Sequence, residues 1–285
     1  MDTMIRFDDN RLADHFLSKE ELQKACPYAF KENPSNPKVS DKYVQANTAT
    51  VISDLEKLGW YPVQAKQCRM KRNSSGIRSY HMIALQNPDV YIEKQDGEGG
   101  TTIDAYPRII LTNSHDGFNS FKFMVGLFRL VCSNGLVIAT DDFIDLTIRH
   151  INYDFDALRD VVKTAIDTIP NIICKMNVMK KTILTDDEKK EIATSVVKIR
   201  KNIPEDEKFD IDEDTIRDIL MPKREEDNGD DLWSVFNVCQ EKMIKGGYSD
   251  FNSNNKVRKQ RSITSIKRDI DCNRKFWSLA LNYCK

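Results

Sequence analysis

Ser114-His115-Asp116 places a hydroxyl, an imidazole and a carboxylate in three consecutive positions, the side-chain types of a hydrolase relay. Such relays are defined by side chains that converge, which adjacent residues rarely do. With Asn113, the same residues suit a hairpin turn in which Asn, Ser and Asp side chains bond their own backbone. His81 opens a predicted strand and reads as a satisfied structural histidine, while His15 and His150 have no evident partner in sequence. A zinc or iron site would need three of these four histidines, or carboxylates that spacing alone does not reveal. The seven cysteines form no CxxC pair, so they read as reduced, mostly buried thiols rather than zinc ligands. Gly97, Gly99 and Gly100 lack the strand-to-helix setting and the Lys-Ser/Thr of a phosphate-binding loop. There is no nucleophile elbow or kinase signature. No catalytic residue, metal or cofactor is therefore assigned, and a hydrolase or nuclease built on His115 and Asp116 is the third of three readings.

The basic segments carry more information. Lys66, Arg69, Lys71, Arg72 and Arg78 cluster on one predicted strand-turn-strand with Tyr61 and Tyr80 nearby. Near the C-terminus, Lys256, Arg258, Lys259, Arg261, Lys267, Arg268, Arg274 and Lys275 face only Asp269 and Asp271, about six excess positive charges. Cations interleaved with aromatics suit single-stranded nucleic acid, whose phosphates pair with the cations and whose bases stack. The alternative is that this segment neutralises the acidic stretch Glu205 to Asp231, where thirteen acids meet four bases. Arg129, inside an apolar strand, reads as structural, either snorkelling at a sheet edge or paired with a carboxylate.

These residues need a scaffold, and 285 residues suffice for one sizeable core or two modest ones. At 40% apolar and 31% charged, the chain is globular in composition. The longest apolar run, Phe121 to Ala139, is broken by Arg129, Ser133 and Asn134, too soon for a membrane helix. The acidic N-terminus lacks the basic-then-apolar order of a signal peptide, which predicts a cytoplasmic protein. A net charge of −1 gives no general support to duplex-DNA binding, since such proteins are usually clearly basic.

Capping boxes at Ser18 and Thr185 start helices. Val51, Ile52, Leu55 and Leu58 share a helix face that Gly59 ends. From Trp60 the period becomes that of strands. One runs to Met70, a turn falls at Asn73-Gly76, and a strand returns over Arg78 to Leu85. After a surface loop at 96–100, strands are predicted at Pro107 to Thr112, Phe121 to Val131 and Leu136 to Ala139, with turns at Asp116-Gly117 and Asn134-Gly135. Beyond Asp154 the pattern is helical. Pro170 should kink or end one helix, a short helix near Ile216 to Leu220 should interrupt a solvated acidic connector, and further helices cover Asp231 to Ile244 and Ser262 to Cys284. The fold class is α+β. A central antiparallel sheet (about 60–140) is flanked by N-terminal helices and a helical C-terminal half. The regions are a polar segment 1–40 with a short helix, a mixed α/antiparallel-sheet core 41–153, and a helical region 154–285 with its acidic connector 205–231.

Asn113-Ser114-His115-Asp116-Gly117, followed by Gly126-Leu127-Phe128-Arg129-Leu130-Val131-Cys132-Ser133-Asn134-Gly135-Leu136, resembles the central signature of a phage/plasmid-like domain-of-unknown-function family (number 932). Ser40-Asp41-Lys42-Tyr43-Val44, Leu58-Gly59-Trp60, His81, the Thr185 helix, the stretch from Asp231 to Gly246-Gly247, and Asn273 with Trp277 agree in order and spacing. The resemblance covers roughly residues 40 to 285 and implies an origin in phages, prophages or conjugative plasmids, in the company of antirestriction and DNA-repair genes. Of the matched residues, His115, Asp116 and Arg129 are the most open to a functional role.

Three functions follow as expectations. The first is a mobile-element accessory protein that binds single-stranded DNA in annealing or recombination through Lys66, Arg69, Lys71, Arg72, Arg78, Lys267, Arg268, Arg274 and Lys275. The second is a counter-defence protein that inhibits a host anti-phage system by protein–protein binding, its acidic stretch imitating a phosphate backbone. The third is the hydrolase or nuclease above. No membrane partner is expected, homo-oligomerisation is left open, and a phage-encoded protein would act in the host cytoplasm.

Overall fold

The computed structural model describes residues 15–31, 47–68, 79–95, 101–116, 119, 121–129, 135–138, 146–148, 155–251 and 256–284. The predicted turn at 73–76 and the loop at 96–100 lie outside these residues, as do Gly117 and Asn134 of the two remaining turns. The chain divides into two units, 1–169 and 170–285.

The first unit is built on an antiparallel sheet, so the chain is α+β with a central sheet. Its strands are β1 (Tyr61–Gln67), β2 (His81–Gln86), β3 (Ile92–Gln95), β4 (Thr101–Asn113), β5 (Phe121–Arg129), β6 (Gly135–Ile138) and β7 (Leu146–Ile148). The order is β1-β2-β4-β5-β6, with β3 also pairing with β4 and β7 with β5. β5 is apolar on both faces, and it is buried except at Lys122, as β4 is from Asp104 to Asn113, which fits a central pair. β4 begins at Thr101, six residues earlier than its apolar run predicts, because β3 pairs with its first half. Pro107 is tolerated inside it for a specific reason. Pro107 itself falls between the end of the β2 pairing, at Arg108, and the start of the β3 pairing, at Ala105, so on that edge it has no ladder partner among the described residues.

Helix α1 (Lys19–Ala25) opens with the expected box, in which the Glu21 amide donates to Ser18 Oγ and the Ser18 amide to the Glu21 carboxylate. A single 3-10 turn follows at Pro27–Phe30. Helix α2 (Thr48–Lys57) is capped by Asn47, buries Val51, Ile52 and Leu55, and packs on β1. Helix α3 (Phe155–Lys181) does not end at Pro170. Its apolar face continues past the proline through Ile172, Met176 and Met179, all buried, and that burial outweighs the lost backbone bond.

The second unit is mainly helical. α4 (Asp186–Lys201) starts at the Thr185 box, α5 (Glu213–Leu220) at an Asp212 cap, α6 (Leu232–Lys245) at Asp231 and α7 (Ile266–Leu281) at Ser265. α6 is the central helix, packed by α4, α5 and α7. Phe236 on α6 stacks on Phe276 of α7 at 4.9 Å and meets Trp277 edge-on at 5.7 Å. Gln240 donates to Asn273 at 2.9 Å inside the same contact. Between α6 and α7 lies a hairpin that sequence periodicity does not predict, β8 (Ser249–Phe251) with β9 (Val257–Lys259). Among the described residues, no helix is long and apolar enough to cross a membrane.

Candidate functional site

Two constellations stand out, one in each unit. The first gathers around Thr48, at the first turn of α2. Its hydroxyl lies 2.9 Å from His81 Nε2, 3.1 Å from His115 Nε2 and 2.9 Å from the Asn113 amide nitrogen. All four residues are fully buried. His81 and Asn113 face each other across β2 and β4, so one sheet face delivers both beneath the helix end. The loop after β4 is tied back to the same place. Ser114 Oγ donates to Asp116 Oδ1 at 2.6 Å, the Ser79 amide donates to Asp116 Oδ2 at 3.3 Å, and the His115 amide donates to Ser79 Oγ at 2.7 Å.

Hydrogen-bond valence assigns the protons. His81 Nδ1 lies 2.7 Å from the Ser79 carbonyl, which only accepts, so Nδ1 carries the hydrogen. Neutral His81 must then accept the Thr48 hydroxyl proton at Nε2. Asn113 donates to one lone pair of the Thr48 oxygen, and the other accepts from His115 Nε2–H. Burial pushes the His81 pKa down to about 4, overcoming the opposing pull of the Ser79 carbonyl and of Asp116.

This connectivity differs from a catalytic relay. His115 addresses Thr48 rather than Ser114, Ser114 bonds Asp116 directly, and none of the group reaches solvent. His115 and Asp116 thus hold the β4 loop onto β2 and α2. Arg129 is buried at the end of β5, opposite Ala105. Among the described residues, no group of three or more His, Cys, Asp or Glu side chains is placed to hold a metal ion.

The second constellation is a groove of about 910 Å³ in the second unit, between the end of α4, the β8–β9 hairpin and the start of α7. It is lined by Arg200, Lys201, Arg258, Lys259, Arg261 and Arg268, against Asp210, Asp212 and Asp250. Two of the three carboxylates are already engaged. Asp212 caps α5, and Asp250 pairs with Lys201 at 2.8 Å. Among the described residues, Arg200, Arg258, Lys259, Arg261 and Arg268 make no ion pair. Arg200 donates to the carbonyls of Met243 and Arg261, and Arg268 to the carbonyl of Arg200. Phe209 and Phe251 add aromatic surface to the wall, Phe251 being exposed.

The hairpin exists because Gly246 and Gly247 take φ of 71° and 91°, letting the chain reverse after α6. A Cβ on Gly246 would stand 2.5 Å from the Gln260 carbonyl oxygen, so only glycine allows Gln260 to return alongside. Gly247 donates to that carbonyl at 2.9 Å, and the Gln260 amide donates to Tyr248 at 2.8 Å.

The residues singled out in the sequence are placed unevenly. Lys66 is half-buried on β1, and Arg69, Lys71, Arg72 and Arg78 lie outside the described residues. Lys267 and Arg274 are exposed on α7, Lys275 pairs with Asp271 at 2.9 Å, and Arg268 turns inward to the Arg200 carbonyl rather than lining an outer rim. Only Arg268 of the expected C-terminal set lines the groove. Its other cations, Arg258, Lys259 and Arg261, belong to the basic segment, but their convergence depends on the unpredicted hairpin and on Arg200, a distant residue. The acidic connector is more structured than a solvated stretch. Asp231 caps α6, Asp230 binds Lys189 at 2.6 Å, Asp227 binds Arg224 at 3.1 Å, and Asp218 accepts the Ser249 amide at 3.2 Å.

Two curated relatives align with nearly the whole chain. The UPF0380 protein YafZ of Escherichia coli (strain K12) is 29% identical over 272 residues, covering 94% of this chain and 91% of the relative. The UPF0380 protein YfjQ of the same strain is 28% identical over 272 residues, with the same coverage. No solved structure matches. The model of one family, described as "Domain of unknown function (DUF932)", matches residues 37–277, a span that takes in both the Thr48 cluster and the basic groove, and the chain therefore belongs to that family.

Proposed function

We propose that the protein binds single-stranded nucleic acid along the groove of its second unit, as an accessory factor in DNA annealing or recombination. The observation that carries this reading is the gathering of Arg200, Arg258, Lys259, Arg261 and Arg268, none paired with a carboxylate among the described residues, beside Phe209 and Phe251. Cations that no carboxylate neutralises attract phosphates, and an exposed ring beside them offers a face on which a base can stack. Single strands suit a groove of this kind better than duplex. The central helix α6 is buried from Leu232 to Met243, apart from Ser234, and so presents no recognition face to a major groove.

The test is a titration of a fluorescently labelled single-stranded oligonucleotide, read by anisotropy at low and at moderate salt, with a duplex of the same sequence alongside. Binding at low salt that weakens with added salt, and that favours the single strand, is the expected result. Absence of binding at low salt, or binding indifferent to salt, removes the proposal.

A further inference from the structure

Arg108 sits at the centre of the first unit's sheet, on β4, and is 5% exposed. Buried arginines are normally discharged by a carboxylate, because an isolated cation away from water is costly. Among the described residues the one hydrogen bond of Arg108 is from Nε to the side-chain oxygen of Gln86, at 3.1 Å, and no carboxylate pairs with the guanidinium. The guanidinium lies 3.7 Å from the centre of the Phe128 ring. Gln86 is directly across from Arg108 on β2, and Gly126 is directly across on β5. The cation is therefore oriented by an amide on one side, by an aromatic ring, and by a neighbour with no side chain on the other. Burial pushes its pKa down.

We propose that Arg108 is the anchor of a small-anion site, in which the unused Nη1 and Nη2 donors grip a phosphate or carboxylate group. A guanidinium presents a planar fork that matches two oxygens of either group. Gln86 fixes the fork without neutralising it, which is what a receptor for an external anion needs and what a purely structural cation does not. At 5% exposure Arg108 is out of reach of a polymer, so the proposed site is separate in kind from the groove of the second unit.

Calorimetric titration of the full chain with sodium phosphate, and separately with sodium acetate at matched ionic strength, tests the site. Saturable 1:1 binding of either anion is expected, and the better one identifies the ligand's head group. Two variants assign the binding to Arg108. Arg108→Met should abolish it. Gln86→Glu supplies an internal carboxylate to the same cation, keeps the fold, and should weaken the anion at least tenfold. If neither anion binds the wild-type chain, the proposal is wrong. It is equally overturned if Gln86→Glu, folded by circular dichroism, binds with unchanged affinity. Should Arg108→Met fail to fold, Gln86→Glu decides the matter alone.

Discussion

Replacing Thr48 with valine keeps the shape of the side chain and removes the hydroxyl that His81, His115 and Asn113 share. A buried polar group that loses its partner costs about 1–3 kcal/mol, so Thr48→Val should lower stability by about that amount in urea unfolding. Thr48→Ser, which keeps the oxygen, should lose only about 1 kcal/mol. The His81 proton gives a second expectation. Its folded pKa of about 4 lies below the ordinary 6.5, so as the pH falls between these values the unfolded chain takes up a proton that the folded chain refuses. Stability should be whole above pH 6.5 and decline by about 1.4 kcal/mol per unit toward pH 4, with this slope reduced in His81→Gln. Nitrogen NMR should find neutral His81 protonated at Nδ1. The residue types of this cluster were legible in the sequence, but their connection was not. Thr48 lies 33 residues before His81 and 67 before His115, and no periodicity links a helix start to a distant strand and loop.

Among the elements, those with a strong local signal were the legible ones. The Ser18 and Thr185 capping boxes, the apolar face of α2 and the buried strands β2 and β5 follow from spacing alone. The short strands β3, β7, β8 and β9 do not, because three or four residues carry too little pattern and their pairing is decided by the partner strand. Pro170 does not end α3 for a related reason, since the local rule meets a longer apolar face that outweighs it. The β8–β9 hairpin depends on Gly246, whose φ of 71° and close approach to Gln260 exclude a side chain. Gly246→Ala should therefore destabilise the second unit by about 1–3 kcal/mol in thermal or chemical unfolding and should weaken oligonucleotide binding. Trp277→Ala should cost about 3–5 kcal/mol, because Trp277 is 1% exposed and packs on Phe236.

On the scale of the whole molecule, a net charge of −1 hides a strongly uneven distribution. Many of the acids of Glu205 to Asp231 cap helices or pair with lysines and arginines, while the groove keeps cations that no carboxylate among the described residues neutralises. Composition could not reveal this, because the total averages over charges that the fold separates. With about four to five phosphates neutralised, log K should fall with log salt at a slope of about −3 on single strands, the per-phosphate value being near −0.7. The most direct measurement compares the wild-type chain with a variant carrying Arg258→Glu, Lys259→Glu and Arg261→Glu, all three exposed and outside any ion pair among the described residues. Exposed charges contribute little to stability, so the variant should unfold at nearly the wild-type denaturant midpoint. Its affinity for a labelled single-stranded oligonucleotide at low salt should fall at least tenfold, and its salt slope should flatten. A folded variant that binds the oligonucleotide as tightly as the wild type, with the same salt dependence, would contradict the groove as the nucleic-acid site.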